Sequence, residues 1–74
     1  MKIYLAAIGC GAKNVDVASL AEASAAWCSF RDAEGFGASA LTRCSGNVYD
    51  GGKLIARVSY NGQVWTPNGE RIAV

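Results

Sequence analysis

The stretch LIARVSYNGQVWTPNGERI, residues 54–72, decides the fold. Branched and aromatic side chains alternate with polar ones, and Asn-Gly interrupts the pattern twice, at 61–62 and 68–69. Asn-Gly tolerates the positive φ that a tight hairpin demands. Read as two-residue loops, these corners set Val58 opposite Trp65 and Trp65 opposite Ile72. Upstream, Gly51-Gly52 sets Tyr49 opposite Leu54. Period-two alternation then gathers Leu54, Ala56, Val58, Tyr60, Trp65 and Ile72 on one apolar face. The reverse face reads Val48, Ile55, Arg57, Ser59, Val64, Thr66, Arg71 and Ala73, with Arg57, Thr66 and Arg71 in one cross-strand row.

An apolar sheet face needs a cover, and the chain supplies one helix. Ser19-Leu20-Ala21-Glu22 is a capping box, in which Ser19 accepts from the Glu22 backbone. Leu20, Ala23, Trp27 and Phe30 follow at three- and four-residue steps, alanines fill much of the rest, and Gly35 supplies a left-handed stop. The pattern predicts a helix over 20–34, with Trp27 and Phe30 pressed into the sheet and Phe36 folded back over the helix end. Lys2 to Ile8 reads as a strand with two apolar faces, hence an interior one or one covered by a partner. Gly9 to Asn14 reads as a glycine-rich loop, and Ala40 to Cys44 as a short strand or irregular segment. The expected fold is α+β: a single domain with one amphipathic helix packed on a four- to five-stranded antiparallel sheet, in the order β-α-β-β-β.

Composition narrows the function. With 74 residues, half of them apolar and 13 of those alanine, the chain supports one thin two-layer core. Seven basic residues against six acidic leave +1, so no overall charge drives it onto nucleic acid or lipid. The longest apolar run is about eight residues, far below the ~20 needed to span a bilayer. It has poor signal-peptide flanks, so a cytoplasmic protein with reduced thiols at Cys10, Cys28 and Cys44 is expected. Histidine is absent, which removes the commonest general base and the commonest zinc ligand. The carboxylates are scattered, and no nucleophile–base motif occurs. No enzyme activity, metal or cofactor is expected.

Two segments remain as binding candidates. Gly9-Cys10-Gly11-Ala12-Lys13 joins glycines to a lysine after a strand; Gly9, Gly11 and Lys13 form a minor anion-binding candidate without P-loop spacing. The leading candidate is the helix-free sheet face: Arg57, Thr66 and Arg71, with Ile55 and Val64 as apolar support. Two arginines without an intervening acid repel mildly and gain when something anionic lies over them.

The layout of strand, capped helix, glycine-rich link and a meander carrying Arg57-Val58-Ser59-Tyr60-Asn61-Gly62-Gln63-Val64-Trp65 resembles the compact proteins that phages and plasmids carry. Among these are anti-CRISPR proteins. The resemblance implies a non-catalytic inhibitor that docks on a host protein or nucleoprotein complex. At +1 the chain departs from the strongly acidic DNA mimics among such inhibitors. Two alternatives stand beside it: an oligomeric module that holds a small anionic ligand such as a nucleotide, and a weak nucleic-acid-binding domain using the arginine row.

Overall fold

The computed structural model describes residues 1–9, 11–35 and 45–74. The elements are β1 (Lys2–Ala7), β2 (Gly11–Asp16), α1 (Leu20–Glu34), β3 (Asn47–Asp50), β4 (Lys53–Val58), β5 (Val64–Trp65) and β6 (Arg71–Ile72). The strands form one open sheet in the order β2-β1-β3-β4-β5-β6, every neighbouring pair antiparallel. Among the described residues one helix covers one side of it, so the α+β class is as expected.

Among the described residues the sheet has six strands, one more than the expected maximum, because Gly11–Asp16 is a strand where the sequence reads as loop. Its residues have little intrinsic strand preference. They pair because β1 would otherwise leave a buried row of backbone groups unmatched. Lys2 to Ala7 all find register partners from Asp16 back to Gly11, and Val17 N–H adds a bond to Met1 O at 2.9 Å. The glycines supply the turn: Gly9 and Gly11 hold φ of 82° and 74°. As expected, β1 is interior, between β2 and β3.

Helix α1 has the expected bounds, and its caps explain them. Ser19 Oγ accepts from Glu22 N–H at 3.1 Å, and Gly35 stops the helix with φ 65° and an N–H bond to Arg31 O. Ala23, Trp27 and Phe30 form its buried stripe. They pack with Ile3, Leu5, Ala7, Val17, Val48, Ala56, Val58 and Val64 into one core. Trp27 is fully buried, and its ring meets Phe30 at 6.1 Å between centroids. The expected strand or irregular segment at 40–44, the Phe36 contact, Cys10 and Cys44 lie outside the described residues.

Three side chains on successive turns of α1 fasten it to the corner between β4 and β5. Ser24 Oγ–H donates to Gly62 O at 2.6 Å, Trp27 Nε1–H to Tyr60 O at 3.1 Å, and Arg31 Nη1–H to the same carbonyl at 2.8 Å. Arg31 also lies 5.7 Å from the Tyr60 ring centroid. Its hydrogen bond to Asp32, an ion pair at 3.1 Å, holds the guanidinium above its already high ordinary range. A buried indole N–H and the corner carbonyls of Tyr60 and Gly62 are thereby satisfied.

Where β3 stops pairing with β1, other groups continue the ladder. Ser45 Oγ accepts from Ala6 N–H at 3.2 Å and donates to Ala6 O at 2.6 Å. Gly46 bridges β1 and β4: its N–H donates to Tyr4 O at 2.7 Å, and its carbonyl accepts from Val58 N–H at 2.8 Å. At φ 88°, a Cβ on Gly46 would collide with the Val58 carbonyl, so only glycine fits this close approach.

Candidate binding face

The corners of the meander decide what the helix-free face displays. Neither is a two-residue loop. Ser59 N–H bonds Gln63 O and Gly62 N–H bonds Ser59 O, both at 2.8 Å, which closes a loop of Tyr60, Asn61 and Gly62. Thr66 N–H bonds Glu70 O at 2.7 Å and Gly69 N–H bonds Thr66 O at 3.0 Å, which closes Pro67, Asn68 and Gly69 in the same way. In each, the glycine sits in the left-handed region, at φ 87° and 93°. This is the three-residue hairpin, a turn followed by a glycine bulge.

The physical reasons are local. Pro67 has no N–H, so it cannot complete the closing pair of a two-residue loop, whereas its fixed φ suits the first position of a turn. At the other corner, Asn61 Oδ1 accepts from Gln63 N–H at 3.1 Å and from Ser59 Oγ–H at 2.5 Å. Thr66 Oγ1 does comparable work by accepting from Glu70 N–H at 3.0 Å.

Each corner shifts the register by one residue, and one residue turns a strand over. Arg57 pairs with Trp65 and Val58 with Val64; Trp65 pairs with Arg71 and Val64 with Ile72. The two shifts cancel across β5. Arg57 and Arg71 therefore share a row as expected, but β5 between them is inverted. Val64, expected on the open face, is 1% exposed in the core. Trp65, expected in the core, is half-buried and stands between the arginines. Trp27 already fills the space under the helix, so the thin core has no need of a second indole.

Two other expectations for this face change. Ile55 packs against the core rather than beside the arginines, because a bulge in the β3–β4 pairing shifts the register: Val48 pairs with Ala56 but Tyr49 with Leu54. Val48, likewise expected outside, is fully buried. Thr66 leaves the row to support the second corner. The Tyr49–Leu54 pairing itself is as expected.

The row actually formed runs Asn47, Arg57, Trp65, Arg71 across β3 to β6, each in direct register with the next. Trp65 Nε1–H donates to Ser59 Oγ at 3.3 Å, which fixes the indole edge. Asn47 is 9% exposed and donates through Nδ2 to Tyr49 Oη at 3.2 Å. Arg57 and Arg71 are exposed, and among the described residues neither forms an ion pair or hydrogen bond through its side chain. A cleft of about 610 Å³ opens beside the row, lined by Ser45, Asn47, Arg57, Ser59, Trp65, Thr66 and the second corner.

The structure places the residues of the Gly9, Gly11 and Lys13 candidate as follows. Gly9 and Gly11 flank a hairpin turn, and Lys13 lies on β2 with its ammonium 5.8 Å from the Phe30 ring centroid. Cys28, half-buried beside Gly62, is a free thiol. Among the described residues no group of side chains could hold a metal ion, and no helix is long and apolar enough to cross a membrane.

Charge is divided between the layers. Helix α1 carries Glu22, Asp32 and Glu34 against Arg31. The described strands and corners carry Lys2, Lys13, Lys53, Arg57 and Arg71 against Asp16, Asp50 and Glu70. The near-neutral total conceals an acidic helix layer and a basic sheet layer.

Comparison with protein-family models, with curated proteins and with solved structures finds no match.

Proposed function

We propose that the chain is a non-catalytic binding protein that acts in the cytoplasm and docks through its helix-free sheet face on a host protein or nucleoprotein complex. The single observation behind this reading is the registered row Arg57–Trp65–Arg71. Two guanidiniums without partners among the described residues flank an indole outside the core. Nothing in the folding of the sheet requires that combination, whereas an anionic partner with a flat element would engage all three at once. The role is that of a small mobile-element inhibitor of the anti-CRISPR type, which the layout resembles. Such an inhibitor would work at the nucleic-acid-binding surface of that complex.

The test is affinity capture from cells that carry the target system, with the wild-type chain and with Arg57→Glu/Arg71→Glu. Both arginines are exposed, so the variant keeps its melting transition. A partner held by the wild type and lost by the folded variant supports the sheet face. A partner retained by the variant removes it.

A further inference from the structure

We infer that the occupant of the Arg57–Trp65–Arg71 row is single-stranded nucleic acid, with a base stacked on the Trp65 indole and backbone phosphates held by the two arginines. The inference rests on the sheet-face reading above and names its ligand.

The geometry has the parts such a ligand uses. Proteins that bind single strands combine cations tracking the backbone with aromatic rings on which bases stack. Neighbouring strands lie about 5 Å apart, so Arg57 and Arg71 leave the sheet roughly 10 Å from one another with the indole between them. Their long stems can swing to phosphates on either side of a stacked base. The indole is oriented in advance by its bond to Ser59 Oγ at 3.3 Å, so little ordering remains for the ligand to impose.

A second observation points into the same cleft. Asn47, nine-tenths buried, spends its amide N–H on Tyr49 Oη, while its Oδ1 accepts no hydrogen bond from the described residues. A buried amide oxygen without a donor is costly unless a ligand or water supplies one, and a base N–H, whether the ring imide of thymine or uracil or the amino group of another base, is such a donor. Tyr49, two residues along β3, and Tyr4 on β1 are half-buried on the same face and extend the aromatic surface beyond Trp65. Glu70, next to Arg71 in sequence, forms no ion pair with it.

Chemistry decides between anionic partners. A carboxylate-bearing protein surface would satisfy the arginines but brings no series of base faces to the indole. A duplex offers phosphates and groove edges but hides its base faces in the stack, so none is free for the indole. A single strand offers both at the observed spacing.

The test measures fluorescence anisotropy of labelled dT12, of rU12 and of a 12-base-pair DNA duplex at about 50 mM salt, with circular dichroism melts to confirm that each variant is folded. The expected result is binding of the single strands in preference to the duplex. Trp65→Ala should weaken single-strand binding roughly tenfold or more, while Trp65→Phe retains most of it. Arg57→Gln and Arg71→Gln should each lower the slope of log affinity against log salt by about 0.7. Absence of single-strand binding, or single-strand binding that Trp65→Ala leaves unchanged, overturns the inference. If it fails while Arg57→Glu/Arg71→Glu still loses a captured protein, the sheet face stands and its occupant is protein. If capture is also unchanged, both readings fall.

Discussion

Trp65 pairs directly with Arg57 across β4 and β5, and the indole and guanidinium rise side by side from the face that, among the described residues, no helix covers. The chain's other indole, Trp27, is fully buried beneath that sheet. The two tryptophans therefore have opposite tasks, one holding the layers together and one facing outward.

Stability should separate them. Trp27→Ala removes the centre of the core and should cost about 3–5 kcal/mol, enough to unfold much of so small a domain. Trp65→Ala, which leaves no comparable cavity, should cost under about 2 kcal/mol. Urea denaturation of both variants checks this; equal losses would place both indoles in the core.

The contacts between helix and corner can be dissected by cycles. Ser24→Ala should destabilise by about 1 kcal/mol, because the Gly62 carbonyl loses its donor at 2.6 Å. Trp27→Phe and Arg31→Ala should be non-additive, since both donors serve the Tyr60 carbonyl. Strictly additive losses in denaturant midpoint would show that the shared acceptor carries no weight.

Gly46→Ala should be among the most damaging single-methyl changes in the chain. It combines a disallowed φ with a collision against the Val58 carbonyl and should cost at least about 2 kcal/mol. Gly69→Ala has comparable φ but open space around the added Cβ, so it should cost only about 1 kcal/mol. Thermal melts of the pair separate steric collision from backbone strain; equal melting points would refute the close approach at Gly46.

Gly62 and Cys28 should be coupled. A Cβ on Gly62 would lie 2.7 Å from Cys28 Sγ, so Gly62→Ala should destabilise more than Gly69→Ala. Cys28→Ala should return part of that difference in the double variant, a coupling of about 0.5–1 kcal/mol. A double variant no better than the sum of its singles would contradict the contact.

Much of this fold was legible in the residues. Ser19, Glu22 and Gly35 bracket the helix through local chemistry that tertiary structure does not override. β2 was not legible, because Gly11 to Asp16 pairs for the sake of β1 rather than by its own preference. The site was half legible. Arg57 and Arg71 fell in one row because two register errors cancelled, while Trp65 and Val64 exchanged faces. Pro67 carried the signal that could have prevented this, since a residue without an N–H cannot close a two-residue hairpin. Asn47 was missed because its pairing with Arg57 lies beyond the bulge near Tyr49, which no turn motif announces.

The most direct measurement is a two-dimensional NMR titration of the wild-type chain with dT12, following both indole N–H signals, assigned with Trp65→Phe. Stacking on the sheet face predicts that the Trp65 indole and the Arg57 and Arg71 amides shift together while the buried Trp27 indole stays in place. A Trp65 signal that does not move as the oligonucleotide is added, or shifts confined to the helix, would contradict the account.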